Sequence, residues 1–216
     1  MIKAVIFDMD GLLIDSEPLW QEVESEIFSR VTGKTITPLM TTQTMGRRLD
    51  EAIDYWYQQY PWESHTKKEV EADIMKGILN KVKNEGKALP GVYNVIQLFK
   101  EKHIPMGIAS SSYMELIHAV VDRLDIRKDM RILHSAEHEP YGKPHPAVYI
   151  TAAKMLGVQP QDCLVFEDAP NGVLAAKAAF MTCIAVPNEH VKNNKIFCIA
   201  DYTINSLEDF STLDIL

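Results

Sequence analysis

The chain has 216 residues, 46% of them hydrophobic and 24% charged, with a formal net charge of −8. That size suits one domain, or one domain carrying a smaller insert, and the composition calls for a folded core rather than disorder. The acidic balance repels phosphate backbones and argues against a nucleic-acid partner. The longest apolar stretches, such as AVIF, fall far short of the roughly 20 residues that span a bilayer, and the N-terminus lacks a signal-peptide pattern. A soluble cytoplasmic protein with no membrane association is expected. An anionic small substrate remains compatible with the charge, provided that its pocket supplies local positive charge.

The first element is the apolar run KAVIFD (3–8), a strand buried on both faces. Residues 15 to about 86 then hold no convincing strand. Trp20, Val23, Ile27 and Val31 fit one helical stripe. Leu49, Ile53, Trp56, Tyr57 and Tyr60 fit a second, and Val70, Ile74, Ile78 and Val82 a third. The stretch reads as a helical unit inserted behind the first strand, with the return marked by Gly86, Pro90 and Gly91.

From there strands and helices alternate. IPMGIAS (104–110), MRILHS (130–135), CLVFED (163–168) and CIAVP (183–187) read as strands. Helices carry Val92, Val95, Ile96 and Phe99; Leu116, Val120, Val121 and Leu124; the run from about Pro146 to Leu156, stopped by Gly157; and NGVLAAKAAF from Asn171. The tail is expected to hold a short strand and a helix capped by Ser206, with Asp209 three residues on. This alternation predicts a parallel α/β sheet with right-handed crossovers, whose chemistry sits at the carboxyl ends of the strands. The expected boundaries are an α/β core of residues 1–14 and 87–216 and a helical unit of residues 15–86. Cys163, Cys183 and Cys198, an odd set without close spacing, are expected to be buried free thiols.

Chemistry-bearing residues gather at those strand ends. Asp8 and Asp10 lie two apart at the end of the first strand, where both can project the same way, and Gly11 can turn the chain sharply behind them. Two carboxylates so close repel, and a divalent cation relieves that repulsion. Ser110, followed by Ser111 and Ser112, ends a second strand, and Glu167 and Asp168 end another. Lys143 stands beside Pro144 in YGKPHP. Singly each has an ordinary reading: Ser110 as a turn or helix cap, Lys143 as surface charge, the acids as loop residues. Their convergence on one sheet edge is harder to dismiss.

The combination DMDG, ASSS, GKPHP and FEDAPNG, in that order, resembles the haloacid dehalogenase-like (HAD) hydrolase superfamily. It is most similar to the subgroup of small sugar-phosphate and hexitol phosphatases and β-phosphoglucomutase. The resemblance covers nearly the whole chain and implies a Rossmann-like core whose helical insert closes over it as a cap. By matched position, Asp8 would be the nucleophile and Asp10 the general acid and base. Ser110, with Ser111 beside it, and Lys143 would hold the phosphoryl group. The metal set would be Asp8, Asp10 through its backbone carbonyl, and Asp168, with Glu167 close by and Mg2+ as the cofactor.

The resemblance implies a phosphatase of small phosphorylated sugars or sugar alcohols, acting as a monomer through an aspartyl phosphate. A β-phosphoglucomutase-type reaction is the alternative. Two departures favour hydrolysis. Trp20 occupies the position where the mutase has a histidine, and Leu49 that of its cap arginine, with Arg47 and Arg48 nearby. A dehalogenase fits poorly, because that branch does without the second aspartate. Signalling receiver domains share strand-end acids but lack the large insert. Trp20, Arg47 and Arg48 are the candidate substrate contacts of the cap. Trp20 has an alternative place in a helix core, and the two arginines one on a solvated helix start. Trp56, Tyr57 and Tyr60 are expected in the cap's own core, and His145 in a structural role.

Overall fold

A computed structural model describes residues 2–188 and 191–212. Strand β1 (Ala4–Phe7) is followed by four helices: α1 (Glu17–Thr32), the short α2 (Pro38–Thr41), α3 (Leu49–Gln59) and α4 (Lys67–Glu85). Then come α5 (Val92–Glu101), β2 (Met106–Ser110), α6 (Met114–Arg123), β3 (Ile132–Ser135) and α7 (Ala147–Leu156). The chain continues through β4 (Cys163–Glu167), α8 (Pro170–Ala178), β5 (Thr182–Ala185) and β6 (Tyr202–Thr203). The six strands form one sheet in the order β3-β2-β1-β4-β5-β6. Every pairing is parallel.

The sheet is buried on both sides because β1, and β4 up to its last residue, Glu167, carry apolar residues. Val5, Phe7, Leu164 and Phe166 face one hydrophobic cluster, together with Val95, Phe99 and Val120. Ala4, Ile6, Cys163 and Val165 face the other, with Tyr149, Ala152 and Val173. The two-residue period of a strand produces this division. Phe7 and Phe166 stack at 5.2 Å, and the Phe99 and Phe210 rings meet Phe166 edge-on or tilted. Strand order reverses direction at β1, the switch point where open α/β sheets form their ligand crevice. Register aligns Phe7 with Ile108 on one side and Phe166 on the other, so the chain following β1 emerges between the ends of β2 and β4.

The four inserted helices leave and rejoin through two paired segments. Asp15 donates its N–H to Lys87 O at 2.9 Å, and Leu89 to Leu13 O at 3.2 Å. Val23, Ile27, Phe28, Ile53, Trp56, Val70 and Ile74 form a separate apolar cluster, which includes Trp62 and is flanked by Tyr57 and Tyr60. Helix α4 starts with a reciprocal capping box between Thr66 and Glu69. Its first turns serve that cluster, whereas Ile78 and Val82 join the core beneath the sheet.

The tail holds the expected short strand, β6, and a helix of the 3-10 type (Leu207–Thr212), with Ser206 Oγ accepting the Glu208 N–H at 3.2 Å and the Asp209 carboxylate accepting the Asn205 N–H. One expectation needs correction. Cys198 is exposed, unlike the buried Cys163 and Cys183, because its 3-10 turn points Phe197 inward instead. Between α1 and α3 the chain also forms α2 and a 3-10 turn. Among the described residues no helix is long and apolar enough to cross a membrane.

Phe166 is fully buried within an aromatic cluster. Phe166→Ala should lower unfolding free energy by about 3–5 kcal/mol, read from urea denaturation. A loss within the error of the wild-type value would contradict the packing described.

Candidate active site

The carboxyl ends of β1, β2 and β4 and the loop before α7 bring four groups together. Asp8, one residue past β1, is buried, and its Oδ1 accepts from the Lys143 Nζ at 2.5 Å. The same ammonium donates to Glu167 Oε1 at 2.6 Å, to the Tyr149 hydroxyl at 3.0 Å and to the Ala109 carbonyl at 3.3 Å. Tyr149 donates its O–H to Glu167 Oε1 at 2.6 Å. Burial opposes the Lys143 charge, but Asp8 and Glu167 outweigh it and hold the ammonium protonated, its pKa above the ordinary lysine value.

Asp10 faces the same space from the turn that follows. Its Oδ1 accepts from Ser16 Oγ at 2.6 Å and Trp20 Nε1 at 3.0 Å, and its Oδ2 from Ser112 Oγ at 2.6 Å. Ser110 is buried, and its Oγ accepts the Ser112 N–H at 3.1 Å, ordering the chain that carries the Ser112 hydroxyl. Ser111 Oγ donates to the Gly46 carbonyl at 3.1 Å and so joins the sheet edge to the inserted segment.

Glu167 and Asp168 complete the acidic set. Asp8, Glu167 and Asp168 each offer an oxygen, all within 4.8 Å of one another. Glu167 Oε2 accepts the Ala169 N–H at 3.1 Å, so both oxygens of this side chain are engaged. Asp168 Oδ2 is buried with no hydrogen-bond partner among the described residues. Two glycines make room for these acids. A Cβ on Gly172 would lie 1.6 Å from Glu167 Oε1, and one on Gly11, whose φ is +73°, would lie 2.3 Å from Asp168 Oδ2. Three carboxylates thus face one ammonium. Burial, with Lys143 countering and Glu167 adding, pushes Asp8 up to about 7. Burial and the Glu167 and Asp8 charges raise Asp168 well above the carboxylate range.

Over this floor lies a cavity open to solvent. Its roof comes from the inserted helices: Glu17, Trp20 and Glu24 on α1, Thr44 and Arg47 before α3, and Met75 on α4. The Arg47 guanidinium sits 5.5 Å over the Tyr55 ring. Arg48 is not among the cavity's lining residues. It pairs with Asp50 and donates to the Glu139 carbonyl at 3.1 Å, tying the start of α3 to the loop after β3. Local acids and carbonyls thus occupy the Arg48 guanidinium outside the cavity lining. His145 accepts the Ala147 N–H at 3.3 Å, a local turn contact.

Sequence reasoning missed several lining or supporting groups. Tyr149 and Ser16 were not singled out. Glu17 and Glu24 carried no motif. A polar residue recurring on the otherwise apolar, inward face of a predicted helix was the available signal for the two glutamates.

The model of the haloacid dehalogenase-like hydrolase family matches residues 2–179. The chain belongs to this family. Hexitol phosphatase B of Escherichia coli (strain K12) is 38% identical to it over 215 residues, 100% of this chain and 97% of that protein. The (DL)-glycerol-3-phosphatase 1, mitochondrial, of Arabidopsis thaliana is 31% identical over 218 residues, 97% of this chain and 72% of that protein. Among solved structures, CbbY from Rhodobacter sphaeroides in complex with phosphate shares the fold, with a TM-score of 0.89 over 100% of both chains at 22% identity. As a family member with phosphatases among its relatives, the chain is an enzyme of the phosphatase class.

The buried roof acids make stability depend on pH. Burial, then the Glu17 charge, pushes Glu24 from 4.5 up to about 8. The folded state therefore holds this proton more tightly than the unfolded chain, and its contribution is full below 4.5 and lost as pH rises toward 8. Glu24→Gln should match wild type in acid and become progressively more stable than it across that window, measured by urea unfolding at a series of pH values. A constant difference would rule out the buried, protonated carboxyl.

Proposed function

We propose that this phosphatase hydrolyses hexose or hexitol phosphates, with Mg2+ bound, by passing the phosphoryl group through Asp8. The observation that carries the reading is the Asp8 carboxylate, held by Lys143 at 2.5 Å on the cavity floor beside the partnerless Asp168 oxygen. A hard divalent cation fits this donor set. The cluster presents carboxylate oxygens, its acids outnumber its one ammonium, and a buried oxygen has nothing to bind. Asp8, Asp168 and the Asp10 backbone carbonyl would hold it, with Glu167 fixed behind them by Lys143 and Tyr149. When bound, Mg2+ supplies the positive charge that lets a phosphate approach these carboxylates.

The protein's own groups would then act as follows. An Asp8 oxygen attacks phosphorus, a P–O–Asp8 bond forms, and the bond from phosphorus to the sugar oxygen breaks. Asp10 gives that oxygen its proton as it leaves. The Ser16, Trp20 and Ser112 donors aim the Asp10 carboxyl at the cavity. Asp10, now ionised, takes a proton from water, which attacks phosphorus and frees Asp8. Lys143 and Ser110 hold phosphoryl oxygens while charge spreads over them. The Met9 and Asp10 N–H groups, which donate to no acceptor among the described residues, are placed to add to them. The helices of residues 15–86 act as a cap that excludes bulk water and holds the sugar. Trp20 supports hydrolysis over mutase chemistry, because indole can donate a hydrogen bond but cannot take up a proton as histidine can. The hexitol phosphatase relative supports the choice of substrate class.

Asp8→Asn should abolish turnover of sugar phosphates while leaving the circular dichroism spectrum unchanged. Substantial remaining activity would remove Asp8 as nucleophile. Asp10→Asn should slow both half-reactions by about 10²–10⁴-fold, followed by rapid quench. A wild-type rate would remove it as acid and base. Mg2+ at about 100 times its dissociation constant should stabilise the wild type by about 2.7 kcal/mol, seen as a rise in Tm. Asp168→Asn should lose most of that rise. An equal rise in both proteins would move the ion elsewhere.

A further inference from the structure

The chemistry above makes no use of two acids in the cavity roof. Glu17 and Glu24 lie two helical turns apart on α1, with Trp20 and Gln21 between them, so all four share the face that lines the cavity. Each glutamate is only 8% exposed. The Glu17 carboxylate is met by the Gln21 side chain. Glu24 has no hydrogen bond or ion pair among the described residues. Leu49, Ala52 and Met75 supply apolar wall around the pair. The Glu24 carboxyl lines the cavity without a protein partner among the described residues, where a bound molecule can satisfy it.

The chemistry of that molecule follows from the charges present. Lys143 and Arg47 are the cations among the lining residues, and Lys143 is committed to Asp8 and Glu167. Among the described residues no lysine or arginine acts on Glu17 or Glu24, so a second phosphate or a substrate carboxylate beside them would meet carboxyl groups and no counter-charge. Hydroxyl groups donate hydrogen bonds and carry no charge, so they suit a pair of carboxyl oxygens. Trp20, its Nε1 fixed on Asp10 at 3.0 Å, presents an immobilised ring surface between the floor and the two glutamates. Burial is the largest cause raising both acids, Glu17 to about 7 and Glu24 to about 8, so near neutral pH the pair retains protons and can donate as well as accept.

We infer that Glu17 and Glu24 bind the hydroxyls at the non-phosphorylated end of the substrate and select uncharged polyol phosphates against bisphosphates and phosphorylated acids. The inference rests on the phosphatase reading and adds to it the residues that choose the substrate.

The test compares kcat/KM for a hexitol 6-phosphate, a hexose bisphosphate and p-nitrophenyl phosphate, with Mg2+, in wild type, Glu17→Gln, Glu24→Gln and Glu24→Leu. The aryl ester has no hydroxyls to read. The ratio of hexitol phosphate to aryl phosphate should fall about tenfold or more in Glu24→Leu, mainly through KM, and less in the near-isosteric glutamine variants. The bisphosphate should gain on the hexitol phosphate in the same order. If Glu24→Leu does not fold, a fall in the two glutamine variants carries the result. Unchanged ratios in every folded variant would overturn the inference while leaving the phosphatase reading intact. So would a wild-type preference for the bisphosphate or for an amino-sugar phosphate. A wild type that hydrolyses none of the phosphates would overturn the phosphatase reading, and this inference with it.

Discussion

The Lys143 ammonium lies between Asp8 and Glu167, at 2.5 and 2.6 Å, where almost no water reaches. Taken singly, each of these charges would be expensive to bury, and the pair energy repays that only with good geometry and further hydrogen bonds. Those bonds are supplied. Tyr149 and the Ala109 carbonyl engage the ammonium, and the Ala169 N–H takes the other Glu167 oxygen. What remains uncompensated is acidity, concentrated on Asp8 and Asp168. In the proposed reaction a divalent cation offsets that surplus as phosphate binds; two glycines leave space for Glu167 and Asp168.

The fold creates this constraint rather than merely hosting it. Central strands buried on both faces are rigid, and their register sets Asp8 between the ends of β2 and β4. Groups on three strands and one loop can be held within hydrogen-bond distance of each other only because the sheet does not flex. The inserted helices rejoin through paired backbone at Leu13–Asp15 and Lys87–Leu89, a narrow connection. Trp20 and Ser16 meet Asp10 and Ser111 meets Gly46 through polar contacts, while Leu19, Ile78 and Val82 pack into the core cluster beneath the sheet and Arg48 reaches the Glu139 carbonyl. A roof attached in this way brings its own acids over the floor.

Much of this could be read in the sequence because the decisive signals are local. Apolar runs gave the central strands, and the acids following them gave Asp8, Asp10, Glu167 and Asp168 as a group at one edge. Helical stripes located α1, α3 and α4, and Gly157 ended α7 in a left-handed cap as expected. What stayed hidden depends on contacts distant in the chain. Ser112 meets Asp10 across 102 residues, and Arg48 meets Glu139 across 91. No spacing rule shows that one arginine of an Arg-Arg pair faces the cavity while the other is drawn off by Asp50. The exposure of Cys198 and the 3-10 form of the tail were likewise settled by which neighbour, Phe197 or Phe210, claimed the core.

The transfer of phosphorus to Asp8 is tested most directly by chemical capture. A sugar phosphate is mixed with enzyme and Mg2+, quenched during turnover, and reduced with borohydride, which converts an aspartyl phosphate to homoserine. Peptide mass spectrometry should find homoserine at position 8, only when substrate was present. Homoserine at another acid, or intact aspartate at position 8 in enzyme quenched with product accumulating, would contradict the account.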